Sequence, residues 1–122
     1  MNAINWFEIP AADFARATRF YEQILAAPLH FDDSMGTKLA VLPYTQGEGV
    51  GGAVVEMPQA KPHADGARIY LNGGEDLAAI LDRVPAAGGQ VVMPKTFLRE
   101  DIGHIGMFSD SEGNVIGLHS LN

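Results

Sequence analysis

The feature that most constrains this sequence is an internal repeat, in which the same order of predicted elements occurs once in each half of the chain. In the first half, residues 4–9 read as a strand of β-branched and aromatic residues that closes at Pro10. Asp13 then offers an N-cap to a helix that must end before Pro28, because proline cannot continue a helix. Three further strands are predicted over residues 29–32, 37–42 and 50–57.

The second half repeats this order. Residues 68–71 read as a strand, and the acidic pair Glu75 and Asp76 marks the start of a helix. Gly88 ends this helix in the manner of a C-cap glycine, whereas Pro85 predicts that the helix closes one turn earlier. Three further strands are again predicted, over residues 90–93, 102–109 and 114–120.

The two halves together give the pattern βαβββ–βαβββ. It predicts an α+β fold of paired βαβββ modules, with helices packed on curved, mainly antiparallel sheets. We therefore expect one domain over residues 1–122, with half-repeats over about residues 4–58 and 66–121. Turn-rich segments separate the strands, among them residues 33–36.

The charge balance and the composition limit the partners. Fifteen acidic residues against eight basic ones give a net charge of −7, whereas phosphate backbones and anionic lipid surfaces attract clustered Lys and Arg. Neither nucleic acid nor a membrane is therefore an expected partner. The absence of cysteine excludes disulfides, thiolate catalysis and Cys-based metal sites. No secretion signal and no apolar stretch of about 18 residues is visible, so we expect a cytoplasmic protein.

Three segments carry a resemblance to a known family. They lie in both halves and follow in order between residues 7 and 120: FEIPAADFARATRFYEQIL, YLNGGEDLAAILDRVPAAGGQVVMPKT and FSDSEGNVIGLHS. Together they resemble the vicinal-oxygen-chelate superfamily of glyoxalases, bleomycin-resistance proteins and extradiol dioxygenases. The closing GLHS is similar to the glyoxalase-like bacterial subgroup.

The resemblance implies a cleft to which each half contributes one curled module. In the metal-dependent members, each half supplies one His or Glu from its first strand and one from its last. Those positions match Trp6 and Gly52 in the first half, and Arg68 and Gly117 in the second. None of these residues supplies an oxygen or imidazole ligand, and the Arg68 cation would repel a divalent ion. The residues thus predict a cleft without a catalytic metal and without a cofactor.

Strand alternation places six candidate ligand-binding residues in this cleft: Trp6, Glu8, Arg68, Tyr70, Asn72 and His119. Their rings, charges and hydrogen-bonding groups suit a small amphipathic or anionic molecule, and Arg68 can bind a carboxylate through two hydrogen bonds. Two alternatives stay open. Arg68 and Glu8 could simply pair with each other across the sheet, and His119, near the C-terminus, could lie at the surface or in a dimer interface.

The leading hypothesis is a glyoxalase-like protein of unassigned activity that binds a small molecule in the cleft without a catalytic metal. Whether the protein is an enzyme stays open. The second hypothesis is a metal-dependent lyase, isomerase or dioxygenase of the glyoxalase type, with ligands such as Glu56, His104 or His119. The third is an interaction module with a collapsed cleft. We also expect a homodimer, because members of the family cover strand edges and apolar faces with a second copy.

Overall fold

The computed structural model describes residues 2–34 and 36–122, so Met35 of the predicted 33–36 turn lies outside the described residues. The chain forms two compact units that divide between Pro62 and His63. Neither of the helices in these residues is long and apolar enough to cross a membrane. The described elements are β1 (Trp6–Pro10), α1 (Phe14–Leu25), β2 (His30–Asp32), β3 (Lys38–Val41), β4 (Gly51–Glu56), β5 (Tyr70–Asn72), α2 (Ala78–Ala87), β6 (Gln90–Arg99), β7 (Gly103–Ser109) and β8 (Val115–Ser120).

Each unit contains one mixed four-stranded sheet, in the order β1-β4-β3-β2 in the first and β5-β8-β7-β6 in the second. In both sheets the first strand runs parallel to the last, and the other neighbours are antiparallel. A parallel pair needs a crossover connection, and in each unit that connection begins with the helix. The order βαβββ therefore occurs twice, which confirms the predicted α+β fold.

The helix α1 forms as its sequence predicts. The side chain of Asp13 accepts a hydrogen bond from Arg16 N at 3.1 Å and so caps the first turn. The helix ends at Ala26, which is left-handed (φ 52°) and donates its N–H to the carbonyl of Glu22, two residues before Pro28. Its apolar stripe is buried on the sheet and consists of Ala17, Phe20, Tyr21 and Ile24.

The helix α2 packs on one face of the second sheet, and contacts of its first turn hold it there. Leu77 N donates to the hydroxyl of Ser120 at 3.0 Å, which satisfies one of the free amides of the first turn. A methyl group added at Gly106 would lie 3.2 Å from the side chains of Leu77 and Leu81, so this glycine lets the helix approach β7 closely. The core between them includes Val84, Phe108 and Leu118, all fully buried.

The Asp-x-x-Gly-Asn segment before the last strand is a hydrogen-bonded turn. The carboxylate of buried Asp110 accepts from Glu112 N, Asn114 N and the Asn114 amide, each at 2.9 Å. Gly113 has φ 92°, a conformation that favours glycine. The side-chain oxygen of Asn114 in turn accepts from His63 N at 3.0 Å. This part of the family resemblance therefore has a structural cause, because the turn sets where β8 begins.

Two predicted strands have different bounds in the structure. Residues 68–71 were expected to form the first strand of the second half, but β5 begins at Tyr70 and Arg68 precedes it. Tyr70 is in register with Gly117, so Arg68 would fall opposite Val115, where β8 itself begins and the ladder ends. The strand expected over 90–93 continues to Arg99, with an irregular register against β7.

The expectation that Pro85 closes α2 early is wrong, because the helix runs through Pro85 to Ala87. Pro85 lies in the last turn with its ring exposed, where a missing amide hydrogen bond costs less than in the middle of a helix. The helix end is instead fixed by Gly88 (φ 105°), whose N–H donates to Pro85 O at 3.2 Å, and by Gly89 N, which donates to Val84 O. The predicted glycine end is thus confirmed.

Pro85→Ala should stabilise the protein by about 1 kcal/mol, because it adds an amide donor to the last turn and removes the ring from the helix backbone. Pro58→Ala is the matched control. Pro58 lies in the turn that Ala60 N closes onto Met57 O, where proline only restricts the unfolded chain, so its loss should destabilise by about 0.5 kcal/mol. Urea unfolding of both variants measures the difference. An equal loss of stability in the two would contradict the helical penalty assigned to Pro85.

Candidate functional site

Each sheet has one face that carries its helix and one that does not. In the first unit, Phe14 N of α1 donates to Glu56 Oε1 at 2.9 Å, so Glu56 and its same-face neighbours Val54 and Gly52 lie on the α1 side. Trp6 and Glu8 lie on the opposite face, in register with Gly51 and Ala53. We call this surface the α1-distal face. It comprises Trp6, Glu8, Pro10, His30, Asp32, Leu39, Val41, Gly51, Ala53 and Val55.

Two exposed aromatic rings lie over one glycine on the α1-distal face. A methyl group added at Gly51 would lie 2.7 Å from Tyr44 Cε1 and 3.0 Å from Trp6 Cζ3, so the absence of a side chain makes room for both rings. Trp6 is 41% exposed and Tyr44 is 42% exposed. The indole N–H of Trp6 donates to Glu8 Oε2 at 3.4 Å, which joins the carboxylate to the ring pair. Sequence reasoning found Trp6 and Glu8 but missed Tyr44, which lies in a loop that carries no periodic signal.

In the second unit, the surface opposite α2 includes Tyr70, Asn72, Met93, Ile105, Met107, Ser109, Val115, Gly117 and His119, and we call it the α2-distal face. The ring of Tyr70 covers Gly117, where an added methyl group would lie 2.5 Å from Tyr70 Cε2. Arg68 reaches the same face from outside the strand, since its Nη1 donates to the sulfur of Met107 at 2.9 Å. Arg68 and Tyr70 are both exposed. This face therefore presents a cation beside an aromatic ring and thioethers.

Hydrogen bonds already engage two of the other predicted ligand residues. His119 Nε2 contacts the carbonyl oxygen of Ile102 at 2.5 Å, so this nitrogen carries the proton and donates. Asn72 Oδ1 accepts from Gly74 N at 2.9 Å and supports the turn after β5. His119 is half-buried and Asn72 exposed, so each still contributes an edge to the α2-distal face.

The residues at the family's metal positions do not fit a divalent ion. On β4 the position in register with Trp6 is Gly51; Gly52, the sequence-based match, lies under the ring of Phe7 on the α1 side. In the second half the sequence-based match on the first strand is Arg68, which precedes β5, and the β8 residue in register with Tyr70 is Gly117. The glycines of the last strands, the indole and the phenol of the first strands and the Arg68 guanidinium provide no imidazole or carboxylate.

The alternative metal ligands of the second hypothesis do not converge on one site either. Glu56 bonds the first turn of α1 and so faces away from Glu8 within the first sheet. His104 precedes Ile105, the residue in register with His119, so the two histidines point to opposite faces of the second sheet. Among residues 2–34 and 36–122, no group of three or more His, Cys, Asp or Glu could hold a metal ion. The donor set therefore disagrees with the metal chemistry of the family.

The acidic residue at the start of α2 has a structural role. Asp76 Oδ1 accepts from Lys95 Nζ at 2.8 Å and from Ala78 N at 2.9 Å. These two hydrogen bonds, that of Lys95 first, hold the pKa of Asp76 below its ordinary value. Asp76 thus binds the first amide of α2 and pairs with Lys95 of β6, as expected for an acidic residue at a helix start.

Comparison with known proteins identifies the family. The family model described as the Glyoxalase/Bleomycin resistance protein/Dioxygenase superfamily matches residues 3–118. The chain therefore belongs to this superfamily, as its sequence resemblance predicted.

Similar proteins share the fold across almost the whole chain. A protein of Mycobacterium tuberculosis (strain CDC 1551 / Oshkosh) named "Putative glyoxylase CFP32" is 29% identical over 97% of this chain and 45% of its own length, so the chain spans about half of that relative. A glyoxalase/bleomycin resistance protein from Albidiferax ferrireducens T118 superimposes with a TM-score of 0.74 at 16% identity and 98% coverage of both chains. TnmS3, an antibiotic binding protein from Streptomyces sp. CB03234, superimposes with a TM-score of 0.70 at 25% identity, over 98% of this chain and 96% of its own.

Gly117→Ala should destabilise the protein by about 1–3 kcal/mol, because the added methyl group overlaps the ring of Tyr70 and forces it off β8. Gly66→Ala is the control, since its methyl group would meet nothing nearer than His63 O at 3.9 Å. The same Gly117→Ala change made in a Tyr70→Ala background should cost much less, and a double-mutant cycle from urea unfolding measures the coupling. Equal costs in the two backgrounds would show that Tyr70 does not depend on Gly117.

Proposed function

We propose that this protein binds a small organic molecule on the helix-free face of its second sheet and that it does so without a catalytic metal. The observation that carries the proposal is the α2-distal face, where exposed Arg68 and Tyr70 lie beside the sulfur of Met107 and the covered Gly117. An aromatic ring, thioethers and a few polar groups are the usual lining of a small-molecule site. The molecule that such a surface suits is amphipathic, with an aromatic body and an anionic group.

Each predicted ligand residue of the second unit has a part in this proposal. Arg68 binds the anionic group, because guanidinium presents two parallel donors to a carboxylate or sulfonate. Tyr70 and the methionines contact the apolar body. Asn72 and His119 contribute hydrogen-bonding edges, limited by the bonds that they already make to Gly74 and Ile102.

The alternative pairing of Arg68 with Glu8 has less support than ligand binding. Each of these side chains is engaged within its own unit, Glu8 by the indole of Trp6 and Arg68 by Met107. A sulfur atom is a weak acceptor, so the Arg68–Met107 contact leaves the cation available to a stronger anionic partner. The TnmS3 neighbour, described as an antibiotic binding protein, supports binding as a function of this fold.

The enzyme hypothesis is the weaker one on this donor set. A metal-dependent lyase, isomerase or dioxygenase needs several ligands that converge from rigid strands. Glu56 is committed to α1, and His104 and His119 lie on opposite faces of one sheet. The cleft of the sequence-based hypothesis, the homodimer and the cytoplasmic location remain predictions.

Two fluorescent probes that differ by one anionic group test the proposal on the full chain. 8-Anilinonaphthalene-1-sulfonate carries a sulfonate, and N-phenyl-1-naphthylamine has the same aromatic body without it. The sulfonate probe should bind more tightly. Arg68→Ala should weaken binding of the sulfonate probe by about tenfold, or about 1.4 kcal/mol, while the affinity for the neutral probe changes little. Arg68→Lys should recover only part of the loss, because the bidentate fork is absent.

Arg19→Ala is the matched control, because Arg19 is an exposed arginine of α1 and its loss changes the net charge by the same amount. It should leave both affinities unchanged, and circular dichroism should show the same fold in all variants. No binding of either probe would instead favour an interaction module with a collapsed cleft. An affinity for the sulfonate probe that is unchanged by Arg68→Ala would show that Arg68 is not part of the binding site.

A further inference from the structure

The pair of rings over Gly51 differs chemically from the α2-distal face. Trp6 and Tyr44 approach the same point within about 3 Å, and both remain more than two-fifths exposed. Each ring presents a negative π-face that attracts cations. The Trp6 N–H, the main donor of the pair, is directed to Glu8 Oε2. A ligand group without a hydrogen-bond acceptor therefore forgoes no free indole donor at this position.

The charges of the strands on this face have one sign. The α1-distal face carries the carboxylates Glu8 and Asp32, and none of its strand residues is a lysine or an arginine. Lys38 belongs to the other surface, because it is in register with Glu56 on the α1 side. A cation at the ring pair thus meets a carboxylate at the edge of the indole and no like charge from the sheet.

We propose that Trp6, Tyr44 and Glu8 form a subsite for a small organic ammonium group, with Gly51 as the residue that makes room for the two rings. The inference rests on the proposed small-molecule binding and adds the chemical class of a group that the protein recognises. An alkylated ammonium suits the subsite better than a metal ion does, because its methyl groups contact both rings while Glu8 neutralises its charge. The subsite binds the cation and performs no chemical step.

Choline and 3,3-dimethylbutan-1-ol are the probes, because they have the same shape and differ in the charge of the quaternary centre. Trp6 is the single tryptophan, so titration of the full chain by tryptophan emission reports on this position directly. Choline should bind at least about fivefold more tightly than the neutral alcohol. Glu8→Gln keeps an acceptor for the indole but removes the charge. It should weaken choline binding by about fivefold and leave the affinity for the alcohol unchanged.

Two control variants match these changes. Asp82→Asn removes one exposed carboxylate of α2 and should leave choline binding as it is. Gly51→Ala should reduce choline binding strongly, because its methyl group would lie 2.7 Å from Tyr44 Cε1. Gly49→Ala should not, because its methyl group would lie 3.7 Å from the nearest atom, Thr45 O.

The outcomes separate this inference from the proposed function. Equal affinities for choline and the alcohol, or a Glu8→Gln variant that binds choline as the parent does, would overturn the ammonium subsite. If the sulfonate probe still binds that same preparation in an Arg68-dependent way, the proposed function stands and only the subsite fails. If none of the four probes binds, both the proposed function and the ammonium subsite are overturned. Choline preference that falls on Glu8→Gln and on Gly51→Ala, and survives Gly49→Ala, supports the inference.

Discussion

The parallel pairing of the first and last strands within each unit is the constraint from which the rest of the structure follows. Parallel neighbours cannot be joined by a tight turn, so the chain crosses back over the sheet, and the helix is part of that crossover. One face of each sheet is covered by its own helix as a result. The other face is left to the side chains of the strands, and there the candidate binding groups lie.

The same pairing explains the glycines of the last strands. Phe7 lies over Gly52, Trp6 and Tyr44 over Gly51, and Tyr70 over Gly117, so in both units aromatic rings occupy the space that a side chain would take. The positions at which metal-dependent relatives are expected to hold ligands are thereby used for ring packing. In the proposed function, aromatic surfaces and single charges take the place of a metal centre.

Much of the fold could be predicted, because local signals and long-range packing agree in it. Asp13 caps α1, Gly88 ends α2, and the helix and strand order was apparent from apolar periodicity. The predictions failed where the placement of a residue depends on a one-residue shift in strand register or on a tertiary contact. The last-strand position was matched to Gly52, but Gly51 pairs with Trp6, and a shift of one residue moves a side chain to the other face. Tyr44 could not be found, since its role depends on a glycine seven positions away in a different element. Arg68 was placed in a strand because nothing local shows where the ladder with β8 ends.

The proposed function requires that this member of the superfamily bind small molecules with its side chains and without a metal ion. Elemental analysis of purified protein after dialysis, followed by isothermal titration with Ni²⁺, Zn²⁺ and Mn²⁺, tests this requirement. We expect far less than one equivalent of any divalent metal to be retained and no saturable binding at micromolar concentration, because the first and last strands offer indole, phenol and glycine where ligands would be needed. Near-stoichiometric metal that survives dialysis and is lost on His119→Ala or Glu8→Ala would refute metal-free binding and restore the enzyme hypothesis.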